Sequence, residues 1–189
     1  MKIKRYNEYI NEQIVNSPLL DLKDNIDYEL MKIIEGNFEK GSKILEISCG
    51  NAEDSLYLQK IGYNVICTEL DDNYVDNAIN KGLNCIKHDT RKEFPFDSKE
   101  FDLIYSRLGL HYFNEEQLDY IFGELNRIGN SLLITVKIEQ DVTFKHNKVI
   151  LTPDKWKNII SKYFNIKQFN IKEGKLYGNE SMWLEIFAK

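Results

Sequence analysis

Apolar positions along this chain switch between helical spacing and short unbroken runs, and each switch marks the end of an element. From Asp27 the residues Leu30, Ile33, Ile34 and Phe38 recur at helical spacing, with Gly36 and Gly41 marking the helix end and the turn beyond it. The pattern then predicts a strand over 43–48, a helix over 53–61, a strand over 64–68, a helix over 72–81 and a strand over 83–87. A strand over 101–106, a helix over 115–128 and a strand over 131–137 follow. Such alternation implies a parallel sheet with helices on both faces. Beyond a loop over 138–151 the rhythm changes. Thr152-Pro153 signals the start of a helix reaching Tyr163, and strand-like runs over 165–172 and 181–188 follow. The glycine-containing linker Glu173 to Glu180 makes those two runs an antiparallel hairpin at the sheet edge. The 189 residues suit one domain, with no internal repeat or low-complexity tract. Residues 1–25, polar with scattered apolar positions and Ser17-Pro18, read as an N-terminal arm or cap over the cleft of a domain spanning 26–189.

The chemistry concentrates where the first strand feeds the first helix of that alternation. Lys43-Ile-Leu-Glu-Ile-Ser-Cys-Gly-Asn-Ala-Glu-Asp-Ser-Leu-Tyr-Leu58 is an apolar run, a turn of small residues and a helical pattern, which lets backbone approach a ligand closely. The next strand ends in Glu69, nineteen residues past Gly50, the separation at which nucleotide-binding α/β proteins set a carboxylate against ribose hydroxyls. A dinucleotide fingerprint fails here, because Ser48, Gly50 and Glu53 fill its three positions and only one is glycine. Glu53 and Asp54 at the helix start would repel a pyrophosphate, yet they suit a ligand carrying a sulfonium and an ammonium.

Read as acid-x-G-x-G-x-G, the same turn resembles that of class I S-adenosylmethionine-dependent methyltransferases. Glu46 matches the acid, Gly50 the middle glycine, and Ser48 and Ala52 stand in for the outer two. The likeness runs over about residues 26 to 189. Lys87-His-Asp-Thr90 is similar to the family's third-strand ending, and Phe94-Pro-Phe-Asp-Ser-Lys-Glu-Phe-Asp-Leu-Ile-Tyr-Ser106 to its turn into the fourth strand. Arg107-Leu-Gly-Leu-His-Tyr-Phe113 then takes the place of the active-site loop. Asp54-Ser-Leu-Tyr-Leu58, Gly62-Tyr-Asn-Val65 and Leu176-Tyr-Gly178 are closest to small tellurite-resistance-type methyltransferases.

The resemblance implies a three-layer α/β sandwich, Rossmann-like, whose seven-stranded, mostly parallel sheet ends in an antiparallel hairpin. It also implies S-adenosyl-L-methionine as cofactor. Glu46 would anchor the methionine end of that cofactor, and Ser48, Cys49, Gly50 and Ala52 would offer backbone and close packing. Glu69 and the adjoining Leu70 would meet the ribose, while Asp89 and Thr90 would read the adenine. Ser106 and Arg107 would line the same opening. Each acid has a plainer alternative: a capping carboxylate for Glu46, a strand-end surface acid for Glu69, the start of a turn before Arg91-Lys92 for Asp89. Ser48 and Ala52 carry a Cβ where the family has none, so the turn is expected to be strained and cofactor affinity reduced.

His111 is the candidate general base, or else a ring packed beside the cofactor. His88 and His146 are expected at the surface. Tyr28, Tyr112, Phe113, Trp156 and Tyr177 are candidates for an acceptor pocket wall or for core. The cysteines Cys49, Cys67 and Cys85 fall eighteen residues apart near the ends of the first three strands. No pair has metal-ligand spacing, so no metal is expected and they read as buried thiols in a reducing compartment.

Net charge is -5, with +5 carried by residues 137–175 and -10 by the remainder. An acidic body discourages non-specific binding to nucleic acid, and the lysine-rich segment reads as a solvated face or a local contact surface. After the fourth strand neither an Asn/Asp-Pro-Pro-aromatic motif nor a Pro-Cys nucleophile is present. A small-molecule acceptor is therefore favoured over RNA or protein. No apolar run approaches a membrane span and the N-terminus lacks a secretory pattern, so a cytoplasmic location is expected. The alternative to an enzyme is a catalytically silent module that kept the fold and acts on a partner.

Overall fold

The computed structural model describes residues 26–138, 143–145, 148–176 and 179–189. The expected N-terminal arm over 1–25, His146 and Tyr177 lie outside the described residues. The elements in chain order are α1 (Tyr28–Asn37), β1 (Lys43–Ile47), α2 (Glu53–Lys60), β2 (Asn64–Glu69), α3 (Asp72–Asn80), β3 (Asn84–Lys87) and β4 (Leu103–Arg107). A 3₁₀ turn (Leu110–Tyr112) leads into α4 (Glu115–Ile128), β5 (Leu132–Ile138), β6 (Thr143–Lys145), β7 (Lys148–Ile150), α5 (Pro153–Ile160), β8 (Ile166–Leu176) and β9 (Asn179–Ala188).

Seven strands form one sheet in the order β3-β2-β1-β4-β5-β9-β8. The first five are parallel, while β9 runs antiparallel between β5 and β8. Order reverses at β1, with β2 on one side and β4 on the other, so the chain leaves a crevice at the carboxyl ends of these strands.

Alternation along the strands divides the core between two faces. Leu45, Ile47, Ile104, Leu132 and Ile134 pack with Leu118, Ile121, Phe122 and Leu125 of α4 and with Trp156 and Ile160 of α5. Their neighbours Ile44, Val65, Leu103, Tyr105 and Leu133 face the other way, onto Leu30, Met31 and Ile34 of α1 and Leu58 of α2. The helices are fixed at their starts. Asp27 accepts from the Glu29 and Leu30 amides, and Asn114 and Gln117 form a reciprocal capping box on α4.

Two expectations change. The loop over 138–151 holds the two-stranded β6–β7 sheet. The hairpin linker of 173–180 is mostly strand, since β8 and β9 pair as far as Leu176 and Asn179. Of the two readings left open for Trp156 the core one holds: it is fully buried against Phe122.

Candidate functional site

The turn after β1 is held in a conformation that side chains resist. Ser48, Gly50 and Ala52 have φ of 54°, 53° and 54°, so two of the three left-handed positions carry a Cβ, at ~1–2 kcal/mol each. The turn persists because it is tied down. The Cys49 amide donates to the Thr68 carbonyl at 3.1 Å, the Ala52 amide to the Cys49 carbonyl at 2.9 Å, and the Gly50 amide to Glu69 Oε2 at 2.9 Å. Gly109 approaches from the β4 side, where a Cβ would lie 2.7 Å from that of Ser48.

A cavity of about 1120 Å³ opens over this turn. Of the residues expected at a cofactor, Glu46, Ser48, Cys49, Gly50, Ala52, Glu69, Leu70, Asp89, Thr90 and Arg107 line it, and so does His111. Ser106 is the exception. It is fully buried behind the wall, and its hydroxyl donates to the Ile47 carbonyl at 3.1 Å.

The cavity floor is acidic and buried. Glu46 is 3% exposed and accepts from the Ser55 hydroxyl at 2.5 Å. Burial, reinforced by the charge of Asp54, pushes its carboxyl up to about 8. Asp54 accepts on Oδ2 from Arg107 Nε at 2.8 Å and from the Tyr105 hydroxyl at 2.9 Å. Burial outweighs those partners and raises it to about 6. Its other oxygen, Oδ1, has no hydrogen-bond partner among the described residues. An orphaned buried carboxylate oxygen in a cavity lined by six acids and three cations asks for a donor with positive charge.

At the strand tips, Glu69 bridges backbone. Oε1 accepts from the Leu70 amide at 2.6 Å and Oε2 from Gly50, which fixes the carboxylate beside the turn. Asp89 is gripped by its neighbour, accepting from Arg91 Nε at 2.9 Å and from Arg91 NH2 at 2.8 Å; that contact holds its carboxyl down at about 2. Asp89 is thus a turn-starting acid that also lines the cavity. Thr90 is buried, with its hydroxyl 3.3 Å from that of Ser48.

The opposite wall comes from the 3₁₀ turn and the sheet. His111 is 1% exposed and its ring lies 4.4 Å from that of Tyr112, with Phe113 beside them. Asp27, Tyr74, Thr135, Lys137 and Trp183 also line the cavity and were not singled out in the sequence. Thr135, Lys137 and Trp183 arrive through the β5–β9 register, a long-range pairing with no local signal. Asp27 is the N-cap of α1 and lines the cavity as well. Tyr28 packs edge-on against Tyr57. His88 differs from expectation: it is half-buried with its ring tilted against that of Phe94, centroids 4.4 Å apart, and burial lowers its pKa.

The cysteines, eighteen residues apart in sequence, converge. Cys67 and Cys85 are paired across β2 and β3, and the turn brings Cys49 to them. All three sulfurs lie within 4.8 Å of one another. Contact among the three thiols lowers Cys85, while the same contact and burial push Cys49 and Cys67 up.

Comparison with known proteins shows what this chain is similar to. Residues 44–130 match the family described as a methyltransferase domain. An uncharacterised methyltransferase of Synechocystis is 27% identical over 89 residues, 47% of this chain and 42% of that protein. The chain thus spans less than half the length of that curated relative. Among solved structures, a SAM-dependent methyltransferase from Methanosarcina mazei superposes with a TM-score of 0.72 at 18% identity, covering 82% of this chain and 95% of that one. A TehB-like SAM-dependent methyltransferase from Corynebacterium glutamicum gives 0.67 at 20% identity, covering 98% of each chain. Identities this low carry the fold alone.

Proposed function

We propose that this chain, a class I S-adenosylmethionine-dependent methyltransferase by its fold and by the family match over residues 44–130, transfers a methyl group to a small-molecule acceptor. The observation that carries the cofactor reading is the orphaned Asp54 oxygen on an acid-lined floor, which suits a ligand bearing an ammonium and a sulfonium. When bound, S-adenosylmethionine supplies an electrophilic methyl group on a sulfur whose positive charge disappears as the methyl leaves.

The chain's own residues then divide the work. Glu69 accepts from three backbone amides, of Gly50, Leu70 and, at 3.3 Å, Asp71; with about four acceptor sites on a carboxylate, it would accept from both ribose hydroxyls by releasing the long Asp71 contact. Asp89 and the Thr90 backbone would meet the adenine, and Glu46, Asp54 and the Ser48–Gly50 backbone the methionine end. His111 would take the proton that the acceptor loses, from a turn that also presents Tyr112 and Phe113. Holding the acceptor in line is worth ~7–11 kcal/mol, so positioning by the cavity walls is the larger contribution. An acceptor small enough to enter from the Thr135, Lys137 and Trp183 side fits the concave shape, and Thr135 Oγ1, buried without a partner among the described residues, offers it a polar contact. No described helix is long and apolar enough to cross a membrane.

Two measurements test this. Calorimetry with S-adenosylhomocysteine should show binding that Glu69→Ala weakens about 10- to 100-fold, the loss of ~1.5–3 kcal/mol expected for a charge-assisted contact. Incubation of a cell extract with the chain and methyl-tritiated S-adenosylmethionine should put label into dialysable compounds; label confined to RNA or protein would overturn the acceptor class. A second reading, a module that binds cofactor without transferring methyl, is favoured by the strain at Ser48 and Ala52. It predicts binding with no labelled product in any fraction.

A further inference from the structure

We propose that Cys49, Cys67 and Cys85 form a sulfur-only binding site for a soft metal cation. Their three Sγ atoms lie within 4.8 Å of one another. Metal–sulfur bonds of ~2.3 Å set three sulfurs ~3.8–4.0 Å apart around one ion, so small side-chain rotations close the site. The placement follows from the fold. Parallel register sets Cys67 of β2 directly beside Cys85 of β3, and the Cys49 amide bonded to the Thr68 carbonyl brings the third sulfur across.

The cluster contains no carboxylate and no imidazole among the described residues. Its neighbours are Ala52, Val75, Ala78 and Leu83, with Leu56 packed alongside. Oxygen-seeking ions such as Mg²⁺ and Ca²⁺ find no ligand there, whereas thiolates select the copper(I), zinc and cadmium class. Three sulfurs also leave an odd thiol after any one disulfide, while a single ion uses all of them. Cys49 is half-buried and lines the large cavity, which gives the ion a route in; Cys67 and Cys85 are buried behind it. On ligation each thiol gives its proton to solvent, three sulfur–metal bonds form and nothing is oxidised or reduced. The reading is independent of methyl transfer and its readouts need no cofactor.

The test is anaerobic titration of the reduced full chain with Cd²⁺, followed by sulfur-to-cadmium charge-transfer absorption and native mass. The expected result is a saturable one-to-one complex in which all three thiols resist Ellman's reagent. Cys49→Ser, the change least disruptive to the core, should weaken Cd²⁺ more than about 100-fold, beyond the 10–100-fold carried by outer-shell partners. Cys67→Ala and Cys85→Ala should do the same, with circular dichroism checking their fold; if either unfolds, thiol protection in the unmodified chain and the Cys49→Ser arm decide. Absence of a one-to-one band, Cd²⁺ affinity unchanged in Cys49→Ser, or thiols equally reactive with and without Cd²⁺ would overturn the proposal.

Discussion

Replacing Glu46 by Gln should remove a large part of the pH dependence of folding. Gln keeps the shape of the side chain and an acceptor for the Ser55 hydroxyl, but it cannot ionise. In the folded chain Glu46 is 3% exposed, and burial with the nearby Asp54 charge raises it from 4.5 to about 8. A raised folded value means that the native state holds the proton more tightly than the unfolded chain. The resulting stability is complete below the unfolded value near 4.5 and is lost as pH climbs toward 8. At ~1.36 kcal/mol per unit, moving from about pH 5 to about pH 8 costs up to ~4 kcal/mol, and coupling to Asp54 brings the expected loss to ~2–4 kcal/mol. Urea unfolding of both proteins across that range, without cofactor, measures it directly. The stability of the natural chain minus that of Glu46→Gln should fall by this amount as pH rises. A difference that stays constant within ~1 kcal/mol, or that grows with pH, would refute the burial argument.

Further outcomes follow from the same contacts. Gly109→Ala places a Cβ 2.7 Å from Ser48 Cβ and 2.8 Å from Ser106 Oγ, and should cost ~1–3 kcal/mol by overpacking, read as a lowered urea midpoint. Ala52→Gly should stabilise the chain by up to ~1 kcal/mol by releasing a left-handed alanine, less the entropy that glycine adds to the unfolded state; a loss of stability would count against strain at the turn. Arg107→Met leaves Asp54 with the Tyr105 hydroxyl alone. Its penalty should approach ~3–5 kcal/mol above about pH 7 and shrink near pH 5, where Asp54 takes up a proton, as parallel denaturation series would record.

Local rules carried most of the fold. Alternating periods along 27–137 sit in residues that also form the elements, so pattern and structure coincide there. The β6–β7 pair escaped notice because three-residue strands carry too little alternation to stand out. At the site, the turn, Glu69 and Asp89 were legible because a strand end fixes where the next few residues point. Arg91 clasping Asp89, Ser106 turned to the Ile47 carbonyl and Asp54 buried beneath Arg107 depend on side-chain geometry that spacing does not encode. Cysteine arithmetic along the sequence likewise missed a cluster that exists only across strand register.

The central claim is that the cavity over Ser48–Ala52 holds S-adenosylmethionine with Glu69 against its ribose. A crystal structure of the chain with S-adenosylhomocysteine tests it most directly. The account predicts both ribose hydroxyls on the Glu69 carboxylate, the adenine beside Asp89 and Thr90, and the amino group within hydrogen-bond reach of Asp54. A ligand bound elsewhere, or one whose ribose is turned away from Glu69, would contradict it.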